Sequence, residues 1–291
     1  MDNAKQSIWR MAICLSVLRT CLPLDAEAGT FDRAVGGFSD AIANSLDLRP
    51  SDVSSVRLGI GPGYSPAFEG SRDYKWHAVP VISLQYRDVL KVNNNDIDFT
   101  AFDQVFELGE DMGSSKLEFG PSVDLDFGRS ESDSRDLRGM GSVGFSLELG
   151  GYIAYVTDRF KIELDLGQDV VGGHGGALMD LVATTALYRN DRFAVGASAT
   201  LTAATSKYLK SFFGVTAAQA KASGLPEFHP KGGLKNLFLG VNGSYEITPH
   251  WSLLAHIGYE RLLGDAAASP LIKQRGDANQ VLATTFVVYT F

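Results

Sequence analysis

Between Phe160 and Gly167 the chain reads FKIELDLG, with Phe160, Ile162, Leu164 and Leu166 alternating with Lys161, Glu163, Asp165 and Gly167. Successive side chains of a strand point to opposite faces, so this run has one apolar face and one polar face. The same two-residue period returns through most of the chain. Val56, Leu58, Ile60 and Tyr64 oppose Arg57, Gly59, Gly61 and Gly63. Leu117, Phe119, Val123, Leu125 and Phe127 oppose Lys116, Glu118, Ser122, Asp124 and Asp126. Val143, Phe145, Leu147, Leu149 and Ile153 oppose Gly144, Ser146, Glu148 and Tyr152. Further on, Phe193, Val195, Ala197 and Ala199 oppose Arg192, Gly196 and Ser198, and Leu237, Leu239, Val241 and Tyr245 oppose Asn236, Asn242, Ser244 and Glu246. Trp251, Leu253, Ile257 and Tyr259 oppose Ser252, His256 and Glu260. Several of these runs are about 9–13 residues long, the length of a tilted membrane-crossing strand and longer than a usual globular one.

The connections alternate as well. Tight turns are expected at Thr157-Asp158, Asn190-Asp191 and Thr248-Pro249, and long polar loops at 129–140, 168–175, 206–233 and 264–279. Short turns on one rim and long loops on the other mark an outer-membrane barrel, with the short turns in the periplasm and the long loops outside. The expected strands are 56–64, 76–86, 88–95, 97–107, 116–127, 141–156, 158–167, 176–188, 192–204, 234–247, 250–262 and 280–291. That makes an all-β, antiparallel transmembrane barrel of about twelve strands, an even number as bacterial barrels require. Alternation is imperfect over 76–115, which leaves about ten strands as the alternative. The apolar set then faces lipid, and Lys161, Glu163 and Asp165 face a wet lumen. A soluble sandwich or lipocalin-like barrel would turn the apolar face inward instead.

The first residues change the picture by adding export. Lys5 and Arg10 precede an apolar run, and Ala26-Glu27-Ala28 offers a cleavage site, so 1–28 reads as a signal peptide. Residues 29–55 lack alternation and read as an N-terminal periplasmic extension, with FSDAIANSLD as a short helix; 56–291 is the barrel. Cleavage after Ala28 removes both cysteines, Cys14 and Cys21, and with them disulfides and thiolate metal sites. It also removes three basic and three acidic residues, so the net charge stays at −8, which argues against nucleic acid as a partner. Gly, at 31 residues, with 17 Phe and 10 Tyr, suits closely packed strands. No run reaches the roughly 20 apolar residues of a spanning helix.

Candidate chemistry is sparse. Lys116, Glu118, Asp124, Asp126, Glu148, Lys161, Glu163, Asp165, Arg192, Glu246, His256 and Glu260 fall on the lumen-facing parity. Their mixed signs favour a barrel filled by its own ion pairs and water, and about twelve strands leave a narrower lumen than a general porin. His174 lies among the four glycines of GGHGG, and the other histidines are in separate elements, so a tight packed loop is favoured over a metal or catalytic centre. A hydrolase built on His256, Ser244 or Ser252, and Glu246 or Glu260 reads instead as a polar wall, since no G-x-S-x-G elbow occurs. No enzyme, cofactor or metal is expected. Phe212, Phe213, Leu225 and Phe228, on the longest loop, either form a contact surface or fold back over the barrel. Asp265 lies in GDAAASP, a small-residue turn on the same rim. The terminal Phe291 closes an aromatic-ended strand of the kind read by the outer-membrane assembly machinery.

YSPAFEGSRDY (64–74), DVVGGHGG (169–176), YLKSFFGVTAAQAKASGLPEF (208–228), RLLGDAAASPLI (261–272) and the final YTF resemble the MipA/OmpV family over about 55–291. The resemblance implies an outer-membrane barrel in lipid and lipopolysaccharide. Its namesake is described as a scaffold joining a lytic transglycosylase to a murein synthase, so it implies a role in peptidoglycan remodelling. Other members are discussed as porin-like proteins or surface adhesins, which keeps a narrow channel for small polar solutes and an adhesin open as alternatives. Fold transfers more readily than role.

Overall fold

The computed structural model describes residues 55–87, 89–107 and 114–291; the expected signal peptide and most of the 29–55 extension lie outside them. Its strands are β1 Ser55–Pro66, β2 Tyr74–Tyr86, β3 Leu90–Asn93, β4 Asp96–Phe99, β5 Phe102–Glu107, β6 Ser114–Asp126 and β7 Ser146–Thr157. They continue as β8 Phe160–Asp169, β9 Ala177–Arg189, β10 Phe193–Ala204, β11 Gly233–Glu246, β12 Trp251–Leu262 and β13 Asn279–Thr290. Each pairs antiparallel with its neighbours, β13 pairs with β1 and β4 pairs with β6, which closes a ring of 12 strands. β5 lies outside that ring; it pairs with β6 alone and continues the line of β4. The two halves are separated by a bulge at Thr100-Ala101, and Ala101 N–H still reaches Phe119 O at 3.0 Å. A Cβ on Gly120 would come within 1.7 Å of Phe99 O, so the bulge closes against β6 only because residue 120 is glycine.

The region 76–115 therefore does form wall, and the ten-strand alternative falls. Its hairpin is short: β3 pairs with only Ser83–Tyr86 of β2. Ile82, next along that edge, exchanges hydrogen bonds with Asn94 in the hairpin turn. Two residues beyond, on the same edge, Pro80 has no N–H to leave unpaired. Strand 141–156 starts later than its alternation suggests. Met140 and Val143 are buried in the loop, Val143 bridging Arg129, and the strand begins only at Ser146.

The barrel is inside out. Ile162 and Leu166 are 45% and 49% exposed, while Lys161 and Glu163, on either side of Ile162, are buried. Ile60, Val241, Ile257 and Val287 are likewise exposed on other strands. With no partner for a peptide group in hydrocarbon, a closed ladder with its apolar face outward is one of two ways to cross a bilayer. The inner wall is less uniform than alternation implies. Val79, Val81, Leu254, Phe286 and Val288 form an apolar cluster inside the barrel on β2, β12 and β13, while charged residues line β6–β8.

The outward face makes a direct prediction. Ile257→Arg should destabilise the barrel by about 2–4 kcal/mol, the cost of a cation on the lipid face near the midplane. Urea unfolding in lipid vesicles reads this, and a neutral result would contradict lipid contact at Ile257.

Candidate functional site

The long loops do not spread over the mouth; they fold into a cap. The loop after β10 carries α1 Ser206–Phe213 and α2 Ala217–Ser223, and the loop after β12 carries α3 Gly264–Ala268 and α4 Pro270–Arg275. GDAAASP is thus helical where a plain turn is expected. On α1, Tyr208 and Phe212 are one helical turn apart, as are Leu209 and Phe213, so one face is apolar and all four are buried. Thr216 starts α2 with a capping box to Gln219, and Gly224 ends it in the left-handed conformation. These helices share one core with Ala67, Phe68, Leu137, Met140, Leu225, Leu262, Leu271 and Ile272, and Phe228 packs against it. Phe212, Phe213 and Leu225 therefore fold back over the barrel.

Polar ties cross-link the loops. Arg275 donates to the carbonyls of Asp136, at 2.7 Å, and Ser223. Arg72 donates to the carbonyls of Gln274 and Arg275 at 2.7 and 3.0 Å. Ser269 Oγ donates to Phe213 O at 2.7 Å, and Asp265 accepts from Lys231 N–H at 2.6 Å. Arg129 donates to Phe212 O at 2.7 Å beneath the cap. Burial lowers its guanidinium to about 10, against the pull of Asp133 and Glu69, so it remains a cation at neutral pH.

His174 sits where cap meets barrel. Its ring packs edge-on against Tyr208 at 4.8 Å. Nε2 lies 2.8 Å from Glu148 Oε1, and Gly176 N–H donates to Nδ1 at 3.0 Å. Asp169 accepts from the backbone N–H groups of Val171, Gly172, His174 and Gly175, which fixes the loop around the ring. Asp126, Glu148 and His174 bring one ligand atom each to within 4.8 Å of one another, all three residues buried. Charge and spacing suit a divalent cation, but the ring's hydrogen bonding does not. A backbone N–H aimed at Nδ1 makes that nitrogen an acceptor, so the neutral ring carries its proton on Nε2, the nitrogen a metal would need. The arrangement is a histidine donating to a carboxylate and locking the cap to β7.

Deeper in the lumen, Lys91 and Lys116 flank Glu118 at 2.9 and 3.1 Å, Lys116 also reaches Asp103 at 3.2 Å, and Lys161 pairs with Glu163 at 2.5 Å. Asp165 faces Asp180 directly across β8 and β9, and Thr202 Oγ donates to Asp180 at 2.5 Å. Asp124 pairs in register with Glu148 and Asp96. On the other wall, Glu260 accepts from Asn236, and Lys235 bridges to Glu69 at 2.7 Å.

Lys116, Glu118, Asp126, Glu148, Lys161, Glu163, His256 and Glu260 are buried on inner-facing positions, and Asp124 and Asp165 are half-buried. Arg192 and Glu246 keep the inward parity but lie exposed at the short-turn rim, because Arg192 just precedes β10 and Glu246 ends β11, beyond the packed interior. The hydrolase arrangement is not assembled: His256 donates Nδ1–H to Asn242 Oδ1 at 2.6 Å, Glu246 is at the rim, and Glu260 is held by Asn236. Sequence reasoning placed His174 and Glu148 in separate groups and did not join them. The alternation that put Asp126 and Glu148 on adjacent inward ends was the available signal. Phe291 N–H donates to Val56 O at 3.0 Å, and its ring meets Tyr289 edge-on at 4.8 Å, which seats the C-terminus on the closing seam.

A closed antiparallel ring with an apolar exterior, an ionic interior and one rim of long loops defines an outer-membrane β-barrel. The family described as MltA-interacting protein MipA matches residues 58–291, and the chain belongs to that family. No curated protein is significantly similar to it. Among solved structures it is similar to the CymD monoaromatic hydrocarbon channel, at 11% identity and a TM-score of 0.39, over 87% of this chain and 92% of that one. The translocator domain of autotransporter NalP from Neisseria meningitidis is similar at 12% identity and 0.37, over 90% and 96% of the two chains. A Pseudomonas aeruginosa FadL homologue is similar at 11% and 0.34, over 91% and 97%. At such scores the assignment of the fold rests on the strand pairing and the family.

Removing the histidine tests the latch. His174→Phe keeps a ring over Tyr208 but removes the Nε2 hydrogen bond to Glu148, and should cost about 1–3 kcal/mol and expose the 205–232 loop to protease. Glu148→Gln, which keeps an acceptor, should cost less. Treatment with EDTA should leave the unfolding midpoint unmoved; a fall on chelation would instead place a metal on Nε2.

Proposed function

We propose that this protein is an exported, membrane-fixed platform whose periplasmic side holds murein-remodelling enzymes, and that it is not itself an enzyme. The observation that carries this reading is the closure of the barrel: a cross-linked cap over the mouth and an interior occupied by ion pairs and an apolar cluster. A barrel built this way serves better as an anchor than as an open pore. The short-turn rim, which faces the periplasm in outer-membrane barrels, presents Asp158, Arg159, Asp191, Arg192, Glu246 and His250 in exposed positions. Cleavage after Ala28 would leave 29–55 on that same side as a second contact segment. The choice of a lytic transglycosylase and a murein synthase as partners follows what the resemblance to the family's namesake implies, the matching family being described as MltA-interacting protein. Tethering both to one anchor would make their encounter nearly intramolecular.

A narrow passage for small cationic solutes is the second reading. It draws on the carboxylate excess of the β6–β9 wall, where Glu118, Asp124, Asp126, Glu148, Glu163, Asp165 and Asp180 outnumber Lys116 and Lys161. Two measurements separate the readings. Crosslinking in intact envelopes should recover a murein-cleaving or murein-building enzyme, and charge reversal at Arg159 and Arg192 should reduce the yield. Planar-bilayer recordings should show no steady conductance; openings that change on Glu163→Gln and Asp165→Asn would favour the passage and displace the platform.

A further inference from the structure

Four inward side chains gather on the wall formed by β10–β13. The register sets Asn242 opposite His256, and His256 opposite Thr284. Ser198 stands opposite Gly240, two residues before Asn242. None of the four is more than 8% exposed. Asn242 uses its carbonyl oxygen to accept from His256 Nδ1–H. Its amide nitrogen, Thr284 Oγ1 and Ser198 Oγ are buried with no hydrogen-bond partner among the described residues. One such atom is costly, and three around one ring mark a wall organised to bond something else.

The surroundings say what. A Cβ on Gly240 would lie 2.7 Å from Ser198 Oγ and 2.8 Å from His256 Cε1, so both groups converge over the glycine. Its cross-strand partner Gly258 leaves room for the ring of Phe238, which stacks on His256 at 5.7 Å. The next inward row on the short-turn side is Leu254 and Phe286, part of the apolar cluster with Val79, Val81 and Val288. The next row on the cap side holds Leu282 and Gly258. From Phe238 to Ser244, Leu254 to Gly258 and Leu282 to Phe286, every inward residue is uncharged.

A few placed donors and hydroxyls in an apolar frame orient a neutral guest, while a charged one would lose its hydration with no counter-ion to meet it. We infer that the Asn242–His256–Thr284 row, with Ser198, is a binding site for a small uncharged molecule that joins a hydroxyl to an apolar body. The hydroxyl oxygen accepts from the Asn242 amide and its proton goes to Thr284 or Ser198; the body lies on Leu254 and Phe286. This site is independent of any periplasmic partner.

The full mature chain, labelled with 15N-histidine and refolded in detergent, is titrated with cyclohexanol, following the His256 imidazole resonances identified by their loss in His256→Gln. The expected result is a saturable shift with cyclohexanol and none with methylcyclohexane or cyclohexanecarboxylate. Thr284→Val, which keeps the shape and removes the hydroxyl, should weaken the apparent Kd about fivefold, as expected for one lost hydrogen bond. Should that variant fail to fold, as judged by heat-dependent gel migration, Ser198→Ala serves the same purpose with the same expected weakening. Resonances unmoved by cyclohexanol would mean that water alone satisfies the row and overturn the inference. An equal shift with methylcyclohexane would show mere apolar partition and overturn it too.

Discussion

Hydrocarbon offers a peptide group no hydrogen-bond partner, and the rest of this molecule follows from that. Strands are therefore paired edge to edge, and the sheet closes from β13 onto β1 and from β4 onto β6. The apolar face must then point outward, which leaves the polar parity of each strand to fill the inside. Lys91, Lys116, Lys161 and their carboxylate partners pair there because isolated charges in so confined a space would be far more expensive.

The cap answers a second demand. Long loops outside the membrane cost conformational entropy to order, and these are ordered because they share an apolar core of their own. The core sits directly on the barrel mouth, so loop packing and barrel closure support each other. His174 joins the two, with its ring among the cap aromatics and its Nε2–H on a barrel carboxylate. A hydrogen-bond donor suits that position, since a buried carboxylate left without one would be costly.

The contrast between the two inner walls organises the functional reading. The β6–β9 wall is ionic, with Lys116 and Lys161 paired to its carboxylates, which suits a rigid anchor. The middle of the β10–β13 wall, around Asn242, His256 and Thr284, is neutral, studded with glycine and carries bonding capacity its neighbours do not use, while Lys235 and Glu260 lie nearer the cap. One barrel thus combines a fixed, filled half with a half shaped to receive a small neutral guest, and neither depends on the other.

Strand alternation is a local property, so the sequence by itself determined most of the membrane-spanning strands, their lipid-facing residues and the alternation of short turns with long loops; over 76–115 the pairing of β4 with β6 decided that twelve strands close the ring. Family motifs in those loops determined the family before any pairing was known. What only the tertiary structure decided are the meetings of residues far apart in the chain. Phe212 and Phe213 became cap rather than contact surface because residues of other loops, such as Leu271 and Ile272, were there to bury them. His174 met Glu148 and Asp126 because the loop after β8 folds back over the ends of β6 and β7, and Thr284 met His256 and Asn242 through register. Arg192 and Glu246 stayed exposed because parity says which way a side chain points but not how far along the barrel the packed interior extends. A period of two carries the direction of each side chain; the shape of the closed ring carries its company.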